Sequence, residues 1–407
     1  MQKLLGLACV VLLLAGVIDP LYAAGIDNNS NFSTGYIRTF NRNAVTNAPD
    51  AAVYNPAGIV KLDNGFYVSL HNQFILRNYS HETATQEYAA TNPTLLLPSA
   101  FLVFTQDNWG VFGTFTVPAG GGSLKYEDGV AALNENPYAP LAAFNPSLEA
   151  FSAYYAGAIG AAFAPHDMIS IAVAGRFMTT KQTAKVETEI PVPPLGDATL
   201  LLDSEASATG YGAIFGINFS PMPELNIGAH YEMNTALEWE YDTLYGPLSG
   251  SIAAEPYNRD LPALLGVGIG YVIMPELRAE ADLMYYFNEQ ADWDNADSLA
   301  DNGYDIGAAL EYDVTPELTI SCGYLYSSKG ADSTIYNYIN PALDYWQAFA
   351  AGACYGIMPC LDLELGISGV FYEEDSGNTN WGELDNLEVT LNKTAITIAA
   401  GLTYKLH

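Results

Sequence analysis

Side chains able to do covalent or metal chemistry are few and scattered in this chain. The five histidines are His71, His81, His166, His230 and His407, and none lies in a recognisable nucleophile motif. A hydrolase working at a membrane interface would need a Ser/His pair in such a setting. Of four cysteines, Cys9 falls in an N-terminal apolar run, leaving Cys322, Cys354 and Cys360. Cys354 and Cys360 flank a short turn and share one face by strand parity, which makes them a candidate disulfide in an oxidising compartment. No cysteine spacing matches a metal-ligand pattern. The residues therefore point away from an enzyme, a metal site or a bound cofactor.

The information lies in the elements, which repeat. Five copies of one phrase start at Phe163 (FAPHDMI), Phe219 (FSPMPEL), Tyr271 (YVIMPEL), Tyr312 (YDVTPEL) and Tyr355 (YGIMPCL). Each ends one alternating apolar run and begins another, as a hairpin turn does. An aromatic ring at the same place in every turn puts all five turns at one plane. A membrane–water interface is such a plane, because amphipathic rings collect at headgroup level.

The alternation after each turn is explicit. Leu361, Leu363, Leu365, Ile367 and Phe371 share one face while Asp362, Glu364 and Ser368 take the other. Parity likewise sets Glu280, Asp282 and His230 inward. Half of the 407 residues are hydrophobic and only 15% are charged, yet no uncharged apolar run of helical-span length follows residue 24. Strands that scatter lipid-facing residues at every second position resolve that conflict. The expected strands are 66–78, 98–105, 109–117, 148–163, 168–182, 207–220, 224–240, 260–273, 276–287, 302–314, 317–328, 345–356, 360–373 and 394–406. Long loops are expected at 79–97, 119–146, 183–206, 241–259, 288–300, 329–344 and 375–392, alternating with tight turns. The fold class is therefore all-β, a 14-stranded antiparallel transmembrane β-barrel.

Residues 1–23 read as a signal peptide, with Lys3, an apolar core from Leu4 to Ile18, and a Leu21-Tyr22-Ala23 cleavage signal. Residues 24–62 lack alternation and carry the helix-starting phrases Asn47-Ala48-Pro49 and Asn55-Pro56-Ala57. An ordered polar segment ahead of the first strand is placed inside the lumen, as a hatch, with the barrel spanning 63–407. Arg38, Arg42 and Lys61 against Asp27 and Asp50 give the hatch a net charge of +1, within a chain of net charge −32. The acidic barrel argues against nucleic acid as a partner. Its acidic loops are read as solvated, with divalent-cation bridging as the alternative.

Ser33 to Leu62 (STGYIRTFNRNAVTNAPDAAVYNPAGIVKL) closely resembles the N-terminal hatch of the FadL/TodX-type outer-membrane transporters of long-chain fatty acids and aromatic hydrocarbons. Asn55, Pro56 and Ala57 are its most specific element, and Phe115 to Gly122 (FTVPAGGG) is also similar to the family. The resemblance implies passive uptake at the outer membrane of a Gram-negative type of cell. A hydrophobic small molecule would be captured by outer loops and held in a hatch-capped pocket. It would then leave sideways into membrane lipid through a kinked third strand. Gly110, Gly113, Gly120, Gly121 and Gly122 are the candidates for that opening, with eased barrel curvature as the plainer role for Gly113. Long-chain fatty acid is the expected cargo, with Arg38, Arg42, Arg176 and Arg278 as candidate counter-ions for its carboxylate. Pairing with lumen carboxylates is the other reading of those arginines. Neutral aromatic or aliphatic hydrocarbon is the alternative cargo, and a general porin for polar solutes a further one. A monomer is expected.

Overall fold

The computed structural model describes residues 29–90, 92–130, 147–192, 196–246, 249, 252, 254–294, 301–330, 345–373, 375–378 and 388–406. The signal peptide, residues 24–28, His407 and parts of the outer loops lie outside the described residues.

Three short helical pieces come first: α1 (Thr34–Thr39), α2 (Ala51–Tyr54) and a 3₁₀ turn (Pro56–Lys61). The strands follow in chain order: β1 (Gly65–Glu82), β2 (Glu87–Ala90), β3 (Thr94–Gln106), β4 (Trp109–Tyr126), β5 (Ser147–His166) and β6 (Ile169–Val192). Next come β7 (Gly196–Met222), β8 (Leu225–Glu232), β9 (Glu238–Tyr245), β10 (Tyr257–Asn258), β11 (Leu264–Met274) and β12 (Leu277–Tyr286). Last are β13 (Gly303–Thr315), β14 (Leu318–Ser328), β15 (Tyr345–Met358), β16 (Leu361–Tyr372), β17 (Asp375–Asn378) and β18 (Glu388–Leu406). Apart from the short β2, β9, β10 and β17, fourteen strands pair antiparallel in sequence among the described residues. β1 closes on β18, from Phe66 opposite Leu406 to Glu82 opposite Thr390. Closure leaves no free edge, which a sheet in hydrocarbon requires.

The period-two pattern sorts side chains between lipid and lumen. Along β18, Ile396, Ile398, Leu402, Tyr404 and Leu406 are exposed, while Ala395, Thr397 and Ala399 between them are buried. The repeated aromatics Phe163, Phe219, Tyr271, Tyr312 and Tyr355 are all exposed beside their turns. Each of those five turns carries a register shift, at Phe163/His166, Phe219/Met222, Val272/Met274, Asp313/Thr315 and Gly356/Met358. The extra residue makes each a bulged hairpin. A turn carbonyl then accepts from the next hairpin's strand: Asn108 from Ala164, Met168 from Ser220, Glu224 from Val272, Glu276 from Asp313, Glu317 from Gly356 and Cys360 from Lys405. These bonds stitch the short-turn rim together.

Several strands run past their expected ends. β6 and β7 together cover most of the loop expected at 183–206, and β18 starts at Glu388 rather than 394. The expected strand 224–240 divides into β8 and β9. Above the lipid band the outer face meets water, so exposed Lys181 and Lys185 alternate with buried Gln182, Ala184 and Val186. The apolar-outside pattern that marks the lipid-facing strands ends there.

The hatch fills the lumen. Ser33 caps α1, its hydroxyl accepting from the Tyr36 amide at 3.0 Å, and Phe40 ends the helix in the left-handed region at φ 57°. Tyr36 stacks on Tyr54 with centroids 5.5 Å apart, joining α1 to α2. Gly323 on β14 faces the Thr39 backbone so closely that a methyl group there would collide with it.

Candidate functional site

The hatch motif is a docking device. Asn55 Nδ2 donates to the Val45 carbonyl at 2.9 Å and to Asn218 Oδ1 on β7 at 2.7 Å. Asn218 in turn donates to Asn226 Oδ1 on β8 at 2.9 Å. Pro56 opens the 3₁₀ turn and lies against Gly216, and the Ala57 carbonyl accepts from Ser170 Oγ on β6 at 2.6 Å. The three residues thus tie the hatch to three consecutive wall strands.

All four sequence-named arginines meet carboxylates. Arg42 grips Asp50 within the hatch, at 2.7 and 3.0 Å, and Ser33 Oγ donates to the same carboxylate at 2.7 Å. Arg38 reaches Glu311 at 2.6 Å and Glu364 at 3.1 Å, and Arg278 bonds the other oxygen of Glu311 at 2.7 Å. Arg278 also pairs with Glu280. Arg176 stands apart from that cluster, bonded to Glu232 and to Thr235 Oγ1, the latter at 2.7 Å. The hatch backbone joins in: the Arg42 and Asn43 amides donate to Asp282 at 2.7 and 2.8 Å, and the Ala44 amide to Glu280 at 2.8 Å. Burial alone would raise the Asp50 pKa, but the Arg42 charge and the bonds from Arg42 and Ser33 hold it below its ordinary value. Burial opposes the Arg42 charge, and Asp50 and Glu311 more than offset it, so its pKa rises. Arg38, Arg42 and Arg278 thus join hatch and wall, whereas the partners of Arg176 lie on the wall side.

Among the described residues, two cavities flank the hatch. One of about 310 Å³ lies on the short-turn side, lined by Pro275, Glu276, Arg278, Asp313, Asp362 and Glu364 among others. Its surplus of carboxylates makes it unwelcoming to an anion. The other, of about 140 Å³, lies on the long-loop side, between α1 and β1, β13–β16 and β18. Its lining is mixed: the aromatic Tyr36, Phe40, Tyr79, Trp346 and Tyr372 are joined by aliphatic residues such as Ile37 and Val370, with Asn29, Asn31, Asp305, Lys329, Ser368 and Thr397 among its polar parts. Lys329 Nζ lies 4.4 Å from the Tyr286 ring centre, 5.6 Å from that of Trp346 and 3.7 Å from Asp305. Lys393 likewise sits over Tyr79 and Tyr372, at 4.8 and 4.5 Å. Sequence reasoning missed Lys329, Trp346 and Tyr372 as lining. Lys329 is the first residue beyond β14, where strand parity gives no direction.

The third barrel strand, β4, is broken. It pairs with β3 only from Gln106 opposite Trp109 to Ala100 opposite Phe115. Thr116, Val117, Pro118 and Ala119 are then buried in succession, so the alternation fails and the strand turns inward. The register with β5 slips at Thr116/Ala119 and again at Ala119/Gly122. Gly120 and Gly122 take positive φ, 103° and 66°. A Cβ on Gly120 would lie 2.5 Å from the Ser152 carbonyl, so only glycine fits. Gly110 and Gly113 lie instead in the regular ladder, opposite Thr105 and Leu102, and Gly121 carries no positive φ. Asn29, at the start of the described hatch, donates from its amide to Pro118 O at 2.8 Å and from its side chain to Gly120 O at 3.1 Å.

The candidate disulfide is not formed: Cys322, Cys354 and Cys360 are free. Cys354 stands opposite Glu364, four residues along from Cys360. At the usual strand rise that is about 13 Å, well beyond the reach of a disulfide.

No family model matches the chain, and no curated protein matches it in sequence. Solved structures do share the fold. A Pseudomonas aeruginosa FadL homologue is 15% identical, with a TM-score of 0.74 over 94% of this chain and 100% of its own. The toluene transporter TodX of P. putida is 13% identical, with a TM-score of 0.65 over 88% of this chain and 94% of its own. The toluene transporter TbuX of Ralstonia pickettii is 14% identical, with a TM-score of 0.61 over the same shares. The chain therefore has the fold of the FadL/TodX-type outer-membrane barrels.

Proposed function

We propose that the protein is a passive outer-membrane path for hydrophobic molecules of about one aromatic ring. The observation that carries this reading is the size of the cavity above the hatch, about 140 Å³, with five aromatic rings in its lining. An apolar cavity of about 150 Å³ in a protein core holds benzene. A long alkyl chain needs far more room. The arginines expected to receive a carboxylate already have one, and Lys329 has Asp305 beside it. Neutral cargo thus fits better than the long-chain fatty acid expected first. The toluene transporters among the similar folds support the same direction.

Exit is proposed at β4, where pairing with β3 stops after Phe115. An apolar molecule gains nothing from an aqueous pore, whereas a gap in the wall opens onto hydrocarbon. The Asn29 bonds to Pro118 and Gly120 link that gap to the segment bordering the cavity. Uptake of labelled toluene and of labelled oleate by cells making the protein tests the reading. Saturable toluene uptake is expected, with its loss in Ala395→Phe, where a ring fills the cavity. Saturable oleate uptake without toluene uptake would overturn it.

A further inference from the structure

Ser368 is 2% exposed, lines the cavity above the hatch, and its Oγ has no hydrogen-bond partner. A buried hydroxyl left unpaired costs stability, and packing does not require one here. The inward-facing neighbours Ala350, opposite it on β15, and Ala395 and Ala399 on β18 are all alanine. Thr397 stands beside it in the β16–β18 register and lines the same cavity, giving two adjacent hydroxyls in an otherwise apolar stretch of wall. The charged groups of the cavity cancel. Asp305 accepts from Tyr286 at 2.7 Å and from Ser327, and faces Lys329 at 3.7 Å.

From these features we infer that the cargo is an aromatic ring bearing a neutral hydroxyl, a phenol rather than a plain hydrocarbon or an aromatic acid. The inference rests on the proposed function and names the substrate class of the same cavity. A serine hydroxyl both donates and accepts, so it complements a phenolic O–H in either direction. The aromatic walls take the ring. A carboxylate would find the lining cation Lys329 already beside Asp305, and would face that carboxylate.

The test compares toluene, p-cresol and p-toluate, which share one ring and one methyl group. Their binding to the purified full-length protein in lipid vesicles is followed by quenching of tryptophan fluorescence. Wild type is expected to bind p-cresol roughly 3- to 10-fold more tightly than toluene, the yield of one added hydrogen bond, and p-toluate least well. Ser368→Ala should bring p-cresol to the level of toluene and leave toluene unchanged, while Ser368→Thr should keep the preference. A p-cresol preference that survives Ser368→Ala, an equal loss for both ligands, or no preference in wild type overturns the inference. Wild-type binding of toluene without that preference leaves the proposed function standing; binding of none of the three removes both.

Discussion

Arg42 and Asp50 meet through two hydrogen bonds, Nη2 to Oδ1 at 2.7 Å and Nε to Oδ2 at 3.0 Å, wholly inside the hatch. A forked pair out of water holds two segments at a fixed angle, here the turn after α1 and the start of α2. Removing one partner leaves the other buried and uncompensated.

Arg42→Ala should therefore loosen the hatch by about 3–5 kcal/mol while the barrel persists. Hydrogen exchange should show residues 33–62 losing protection while β1 and β18 keep theirs. Asp50 is held below its ordinary carboxyl value of 3.8, so the pair's contribution is fully present above that value. It is lost progressively as pH falls from there to the lower folded value. Wild-type hatch protection from this pair should be flat across neutral pH and through 3.8, declining below it. A decline starting near neutrality would contradict the pairing.

Asn55→Ala takes the Asn55 donor from the Val45 carbonyl and from Asn218 Oδ1, which keeps only its bond from Asn226 Nδ2. A cost of about 2 kcal/mol is expected, confined to the hatch and the β7–β8 wall. Planar-bilayer recording should show brief openings where wild type is quiet. Identical traces would mean that the motif does not fasten the hatch.

Gly120→Ala places a side chain at φ 103° against the Ser152 carbonyl. Uptake should fall sharply while heat-dependent gel migration still reports a closed barrel. Gly113→Ala meets only the Ala158 carbonyl, at 3.9 Å, and should change stability by less than about 0.5 kcal/mol with uptake unaltered. Equal effects from the two substitutions would detach uptake from the kink.

Maleimide labelling of the protein, unfolded without reductant, should modify Cys322, Cys354 and Cys360 alike. A Cys354–Cys360 cross-link in peptide mapping would show that the short-turn rim is arranged differently.

The fold was legible wherever two solvents touch one strand. Between lipid and lumen the apolar and polar residues alternate, and the turn aromatics Phe163, Phe219, Tyr271, Tyr312 and Tyr355 mark the boundary. Past the lipid, the outer face of β6 and β7 turns polar while Ala184, Val186, Leu202 and Ala206 stay buried, so the apolar-outside pattern used to mark strands lapses around 183–206. The hatch was visible through its lack of alternation and its Asn55-Pro56-Ala57 phrase. The inward direction of Ser368 could be read from parity, but its missing partner could not. That depends on what β15 and β18 bring beside it, as does the pairing of Lys329 with Asp305 across β13 and β14.

The carboxylates that receive the hatch bear on how plug and wall match. Glu280, Asp282, Glu311 and Glu364 are buried on the wall, and hatch amides and Arg38 supply bonds to all four. A cylinder closing around an empty lumen would gather four like charges with only Arg278 among them. Hatch and wall are thus complementary halves of one charge pattern, and the segment that plugs the lumen is also its counter-ion.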